Sequence, residues 1–250
     1  MAELALAVAV LSALPAAAGP GERPVVVELY TSQGCSSCPP ADALLAKLAQ
    51  QPGVLALSFP VTYWDMLGWK DTLATDANTE RQKAYAHVMG HGAVYTPQMI
   101  VDGVSDVVGS REGEVESTIA AHARENATDN ADNVAVTLSE TPQTLHIAIG
   151  GSNARDAGSV ATVWLFHLRG AVKVAIGAGE NEGRSVTYRN VVGDLRAVGQ
   201  WNGEPVSIDL PRSAMEGLPH DAIAVVVQHG SYGHVAGAAM LSHPDFYAVQ

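Results

Sequence analysis

Two hydrophobic textures follow one another along the chain. Residues 25–30, Val-Val-Val-Glu-Leu-Tyr, form a near-continuous apolar and β-branched run, the pattern of a strand covered on both faces within a parallel sheet. The period then changes: Ala41, Leu44, Leu45, Leu48 and Ala49 recur at helical spacing. Pro39 and Pro40 stand where a first helical turn tolerates missing N–H groups, and Asp42 sets a negative charge there. Gln51-Pro52-Gly53 stops the helix and 54–62 reads as the next strand, which predicts a β-α-β opening with parallel pairing. Tyr63, Trp64 and Trp69 cluster after that strand, at the kind of strand end where α/β sheets gather their sites. Residues 71–90 read as a helix. The stretch 94–103 reads as a strand entered through Thr96-Pro97 and closed by an Asp102-Gly103 hairpin turn, and 111–124 as a closing helix.

Residues 125–133 are polar and rich in turn formers. Beyond them the pattern becomes short β runs, 134–138, 145–149, 161–168, 172–176, 185–188, 206–210 and 222–228, whose spacing predicts an antiparallel sandwich. The organisation expected is a signal peptide over 1–18, an α/β domain with a helical insertion over 19–127, a linker over 128–133, and a β-sandwich-like domain over 134–250. The signal peptide rests on the apolar run 4–14 followed by Pro15-Ala16-Ala17-Ala18-Gly19, with cleavage expected near Ala18. That run is shorter than the ~20 residues of a spanning helix, and nothing later predicts a membrane span. A periplasmic or secreted location follows.

A formal charge of −12 argues against a nucleic-acid partner, and the scattered Lys and Arg offer no polybasic patch for a membrane. The chemistry concentrates in Cys35-Ser36-Ser37-Cys38, which holds the chain's 2 cysteines between a predicted strand and a predicted helix. A helix N-terminus beside a cysteine stabilises its thiolate, and a stabilised thiolate is reactive. A bridge closing so short a loop removes little unfolded-state entropy, so redox work explains the pair better than stability does. Glu28 has two readings: an edge carboxylate in water, or a buried acid that relays the proton of the second thiol. A cis Thr96-Pro97 bond would bring backbone groups beside the thiols, with Thr96, Trp64 and Asp65 on the substrate side. His87 and His91 stand at i and i+4 without a third ligand, and His220, His229, His234 and His243 are scattered, so no metal site is expected from them. The glycine-rich 177–183 lacks dinucleotide-binding spacing and reads as a hairpin loop.

The stretch Glu28-Leu29-Tyr30-Thr31-Ser32-Gln33-Gly34-Cys35-Ser36-Ser37-Cys38-Pro39-Pro40-Ala41-Asp42 resembles the signature of a secreted bacterial family of unknown function with a thioredoxin-like domain. Trp64-Asp65, Gly68-Trp69-Lys70, Tyr95-Thr96-Pro97-Gln98-Met99 and Glu180-Asn181-Glu182-Gly183-Arg184 are similar to that family's pattern. More broadly, Val27 to Cys38 together with Thr96-Pro97 resembles the thioredoxin superfamily. The resemblance implies a thioredoxin-like α/β domain, Cys35 as attacking thiol, Cys38 as resolving thiol and Pro97 as a cis-proline facing them. The function expected is extracytoplasmic thiol–disulfide exchange with protein or small thiol substrates, with the Cys35–Cys38 disulfide itself as the redox group and no dissociable cofactor. Two alternatives stay open: a soft-metal protein binding Cu(I) through the two thiolates with Met66, Met99 or a histidine, and a non-catalytic interaction module.

Overall fold

A computed structural model describes residues 23–128, 133–152, 160–215 and 221–242; the expected signal peptide, His220 and His243 lie outside these. The first apolar run is strand β1, Val25–Thr31, buried along its whole length. Helix α1, Pro39–Leu48, follows the cysteine loop, and β2, Val54–Pro60, returns parallel to β1 in a register running from Val25 with Val54 to Thr31 with Pro60. Next come a short 3-10 turn at Asp65–Leu67, helix α2 at Asp76–Val88, the hairpin of β3 (Gln98–Val101) and β4 (Ser105–Val108), and helix α3 at Glu112–Thr128. The remaining strands are β5 (Val136–Glu140), β6 (Thr144–Ile149), β7 (Ala161–Ala175), β8 (Ser185–Trp201), β9 (Val206–Pro211), β10 (Ala222–His229) and β11 (Val235–Ser242).

The expected thioredoxin-like α/β fold followed by a separate sandwich is corrected by the sheet itself. Strands from both halves lie in one mixed eight-stranded sheet of order β11-β10-β7-β8-β2-β1-β3-β4, joined where β8 runs parallel to β2 at Val191 and Ser58. Only β5, β6 and β9 form a second sheet, and three α-helices are present among the described residues, so the protein is mostly β. The local pattern misled because β7 and β8 form one long hairpin of 15- and 17-residue strands. Register shifts at Val163/Trp164 and His167/Leu168 interrupt its alternation.

Alternation on β1 sorts its side chains between two cores. Val25, Val27 and Leu29 meet Leu44, Leu45 and Leu48 of α1 and Val115 and Ile119 of α3. Val26 and Tyr30 face the other way, into a core with Phe59, Tyr85, Trp164, Phe166, Ala224 and Val226. On β10, Ile223, Val225 and Val227 turn from that core to pack on Leu145, Ile147 and Ile149 of the three-stranded sheet. The large sheet therefore curls around its central core. Its far ends meet where the Val235 N–H donates to the Asp102 carbonyl at 3.0 Å. No helix among the described residues is long and apolar enough to cross a membrane.

Candidate redox-active site

At the end of β1 the chain turns sharply: Ser32 accepts at its carbonyl from Cys35 N–H (3.2 Å) and at Oγ from Gly34 N–H (3.1 Å). Cys38 N–H then donates to the Cys35 carbonyl at 3.1 Å. Cys38 caps α1, its own carbonyl taking the N–H groups of Ala41 and Asp42, while Pro39 and Pro40 occupy the first helical positions. Cys35 and Cys38 are joined as a disulfide with Cα atoms 5.4 Å apart. Ser37 Oγ lies 3.4 Å from Cys35 Sγ; since a disulfide sulfur has no hydrogen, the hydroxyl is the donor. Both cysteines are 0% exposed, although Ser36 and Ser37 between them face solvent.

Trp64 ties this loop to Thr96-Pro97, whose peptide bond is cis. Its indole N–H donates to Thr96 Oγ1 at 2.8 Å, and a Cβ built on Gly34 would lie 3.2 Å from Trp64 Cβ. Asp65 works at one remove: its Oδ1 accepts from Asp71 N–H (3.0 Å), and Asp71 Oδ2 accepts from Gln33 N–H (2.8 Å), two residues before Cys35. Trp69 donates to Gln33 Oε1 at 2.8 Å. Cys35, Cys38, Trp64, Thr96 and Pro97 are thus gathered, with Asp65 behind them.

Glu28 is placed elsewhere. It is buried on the face of β1 turned away from α1, so the reading as an edge carboxylate in water is overturned. Arg81 binds both its oxygens at 2.7 Å, and the hydroxyls of Tyr30 and Tyr85 donate to it at 2.9 and 2.8 Å. The acid nearest the cysteines along α1 is Asp42, one helical turn after Cys38. It is buried, Thr31 Oγ1 donates to its Oδ1 at 2.8 Å, and its Oδ2 has no hydrogen-bond partner. Burial, and after it the charge of Asp71, pushes the Asp42 carboxyl up to about 7 against the pull of Thr31. Burial likewise raises Asp71, and it raises Tyr188 of β8 with help from both carboxylates. Sequence reasoning missed Asp42 as a site residue because a first-turn acid ordinarily serves the helix dipole; the signal was its period, which puts it on the buried face with Leu45.

The last contributor comes from the β7–β8 loop, where Asn181 Nδ2 donates to the carbonyls of Gln33 (3.0 Å) and Cys35 (2.8 Å). Met66 is exposed and Met99 lies in the core beneath α1. Among the described residues no group of three or more His, Cys, Asp or Glu side chains is arranged to hold a metal ion.

A family model described as a protein of unknown function (DUF1223) matches residues 26–228. The chain belongs to this family. A protein from Agrobacterium tumefaciens, solved by X-ray crystallography, is 34% identical, with a TM-score of 0.77 over 90% of this chain and 96% of that one. HBP35 of Porphyromonas gingivalis is similar in fold alone, with 14% identity and a TM-score of 0.58 over 90% of this chain and 76% of that one. No curated protein matches. The family match spans the cysteine loop, Thr96-Pro97 and the Asn181 loop together, so the residues gathered here belong to the region that defines the family.

Proposed function

We propose that the chain is an extracytoplasmic thiol–disulfide oxidoreductase working through Cys35 and Cys38. The observation that carries this is a closed disulfide seated on the N-terminus of α1, with the Ser37 hydroxyl directed at Cys35 Sγ. Pro39 and Pro40 carry no N–H, and those of Ala41 and Asp42 are taken by the Cys38 carbonyl, so the helix dipole and the Ser37 hydroxyl are what favour a thiolate at this place once the bond opens. A substrate thiolate attacks Cys35 Sγ; a mixed disulfide forms as the Cys35–Cys38 bond breaks and Cys38 leaves with the electron pair. A second substrate thiol then attacks its partner sulfur, releasing Cys35 and leaving an oxidised substrate and two protein thiols. Run backwards, the same steps reduce a disulfide. Asp42, buried one turn beyond Cys38 with an unpartnered oxygen, is the group suited to hold the proton that Cys38 gains or loses. The apolar run 4–14 and the small residues after it support a place outside the cytoplasm.

The test is equilibration of metal-free protein against a glutathione series with thiols counted at each point. A single cooperative two-electron transition is expected, and Cys38→Ser should accumulate a mixed disulfide on Cys35. Thiols that form no intramolecular bond but retain a soft metal stoichiometrically would replace exchange with the metal reading. The full burial of both sulfurs favours the second alternative, a non-catalytic module; under it, Cys35→Ser would leave the protein's function intact.

A further inference from the structure

A disulfide that exchanges must admit a thiolate, yet both sulfurs are enclosed. A segment 146 residues further along the chain is fastened to the backbone of the cysteine loop. The loop between β7 and β8 carries its own frame: Gly183 N–H donates to the Ile176 carbonyl and Ile176 N–H to the Arg184 carbonyl, each at 2.9 Å, with Glu182 N–H to Gly179 at 3.1 Å. From this frame Asn181 reaches down, 1% exposed, to the carbonyls of Gln33 and Cys35. Both partners are pure acceptors, which fixes the amide with its nitrogen toward them. Glu180 Oε2 accepts from Ser36 N–H at 3.1 Å, so the loop holds residues 33, 35 and 36 at once. Trp69 braces the assembly: a Cβ on Gly177 would lie 3.1 Å from its ring, and one on Gly179 3.3 Å from its Cβ. The hairpin bonds that shape the loop are separate from those that fasten it to the cysteines.

We propose that Asn181 is a latch that determines which thiols reach Cys35: the loop closes over the disulfide, slows attack by small dithiols, and yields to a dithiol borne on a protein surface that displaces it. This rests on the exchange reading and deepens it. Attack on Cys35 Sγ requires approach along the S–S axis from the side away from Cys38. With the loop standing across that approach, as the latch requires, opening it breaks the two Asn181 bonds and the Glu180 bond, and a small molecule makes no contacts that offset their loss. The step is otherwise unchanged: the incoming dithiol gives up two electrons and becomes a disulfide, and Cys35 and Cys38 gain them and emerge as thiols.

The test reads the rate at which dithiothreitol reduces the oxidised full chain, followed by thiol release under conditions where the fold is fully populated. Asn181→Ala is expected to raise that rate by about tenfold or more, in proportion to dithiothreitol concentration. Trp69→Phe keeps the Cβ beside Gly179 but loses the N–H to Gln33 and the ring edge against Gly177, and should raise it less; it serves if Asn181→Ala does not fold. Ile147→Ala, which weakens the distant three-stranded sheet, controls for loss of stability and should leave the rate unchanged. A native rate already equal to that of the urea-unfolded chain, no acceleration in either loop variant, or equal acceleration in Ile147→Ala would overturn the latch. Failure of the exchange reading shows separately, as a disulfide with no reversible equilibrium against glutathione whatever its rate of reduction.

Discussion

Glu28 and Arg81 form a two-pronged ion pair inside the central core, each side chain 1% exposed, with both bonds at 2.7 Å. The guanidinium also stands within 5.1–5.7 Å of five aromatic ring centres, those of Phe59, Tyr85, Trp164, Phe166 and Tyr232. Burial, with Glu28's charge adding to it, keeps the Tyr30 and Tyr85 hydroxyls protonated well beyond their ordinary range, as donors to the carboxylate. Removing one ion strands the other in a low-dielectric site, whereas removing both does not. Arg81→Met should therefore cost about 3–5 kcal/mol in urea unfolding, and Glu28→Met combined with Arg81→Met markedly less. Exchange by whatever remains folded should be unchanged in Glu28→Gln; slowed exchange at full folding would restore Glu28 as a proton relay.

The pH dependence of stability should carry the signature of Asp42. Its carboxyl is pushed up to about 7 in the folded protein, by burial first, while an unfolded aspartate ionises near ~3.9. Between those values the folded state holds a proton that the unfolded chain has lost, so stability falls as pH rises through this window and levels off above it. Asn in its place accepts the Thr31 hydroxyl and has no charge to bury. Asp42→Asn should thus gain on the native protein from pH 4 to pH 8, by at most ~4 kcal/mol, as read from urea midpoints at the two ends. A difference that does not vary with pH would mean that Asp42 titrates as an ordinary carboxylate.

What the sequence disclosed followed the range of the interactions involved. The cysteine loop was legible because a β-branched run, two prolines and a helical period sit within a few residues of it. The β3–β4 turn was legible for the same reason: Asp102 and Gly103 both take positive φ, 48° and 76°, as an Asp-Gly hairpin does. Arg81 was not, because α2 buries Asn78, Arg81 and Gln82, and a hydrophobic period registers only apolar faces. Most of β8 was missed since Arg189, Asn190, Gly193 and Asp194 look like loop. Its junction with β2 at Ser58 and Val191, which makes one sheet of two halves, leaves no local trace. Asn181 stands out in the sequence only as part of a hairpin loop and of a stretch similar to the family's pattern, and its contact with Cys35 exists only in the folded chain.

The closing of the large sheet depends on Gly103. Its φ of 76° disfavours any L side chain, and a Cβ there would collide with the Gly233 carbonyl beside the Gln228 side chain. Both obstacles act together, and a backbone carbonyl cannot swing aside as a side-chain end can. Gly103→Ala should cost about 2–4 kcal/mol. Gly53→Ala, at a similar φ of 77° but with open space around it, should cost only the backbone part, about 1 kcal/mol. Thermal unfolding of the two variants compares them directly, and equal losses would show that the β3–β4 turn and the turn before β11 do not depend on each other.

Asp71 offers the sharpest test of how the cysteine loop is held. Its Oδ2 accepts the Gln33 N–H, and its Oδ1 accepts those of Leu73 (2.8 Å) and Ala74 (3.1 Å). One carboxylate thus serves two segments through two different oxygens. Asp71→Asn preserves the oxygen and replaces the other acceptor with an amide donor. Asn keeps its carbonyl on the pair Leu73 and Ala74, where two bonds are at stake, and turns its NH2 toward the Gln33 N–H, donor against donor. The orphaned buried amide costs about 1–3 kcal/mol, and the cost falls on the residue that leads into Cys35. Amide hydrogen exchange should accelerate at Gln33, Gly34 and Cys35 while Leu73 and Ala74 keep their protection, and dithiothreitol should reduce the disulfide faster than in the native protein. Lost protection at Leu73 and Ala74 with Gln33 unchanged would instead mean that the amide turned the other way, and uniform loss at both segments that Asp71 supports the fold as a whole and not the loop.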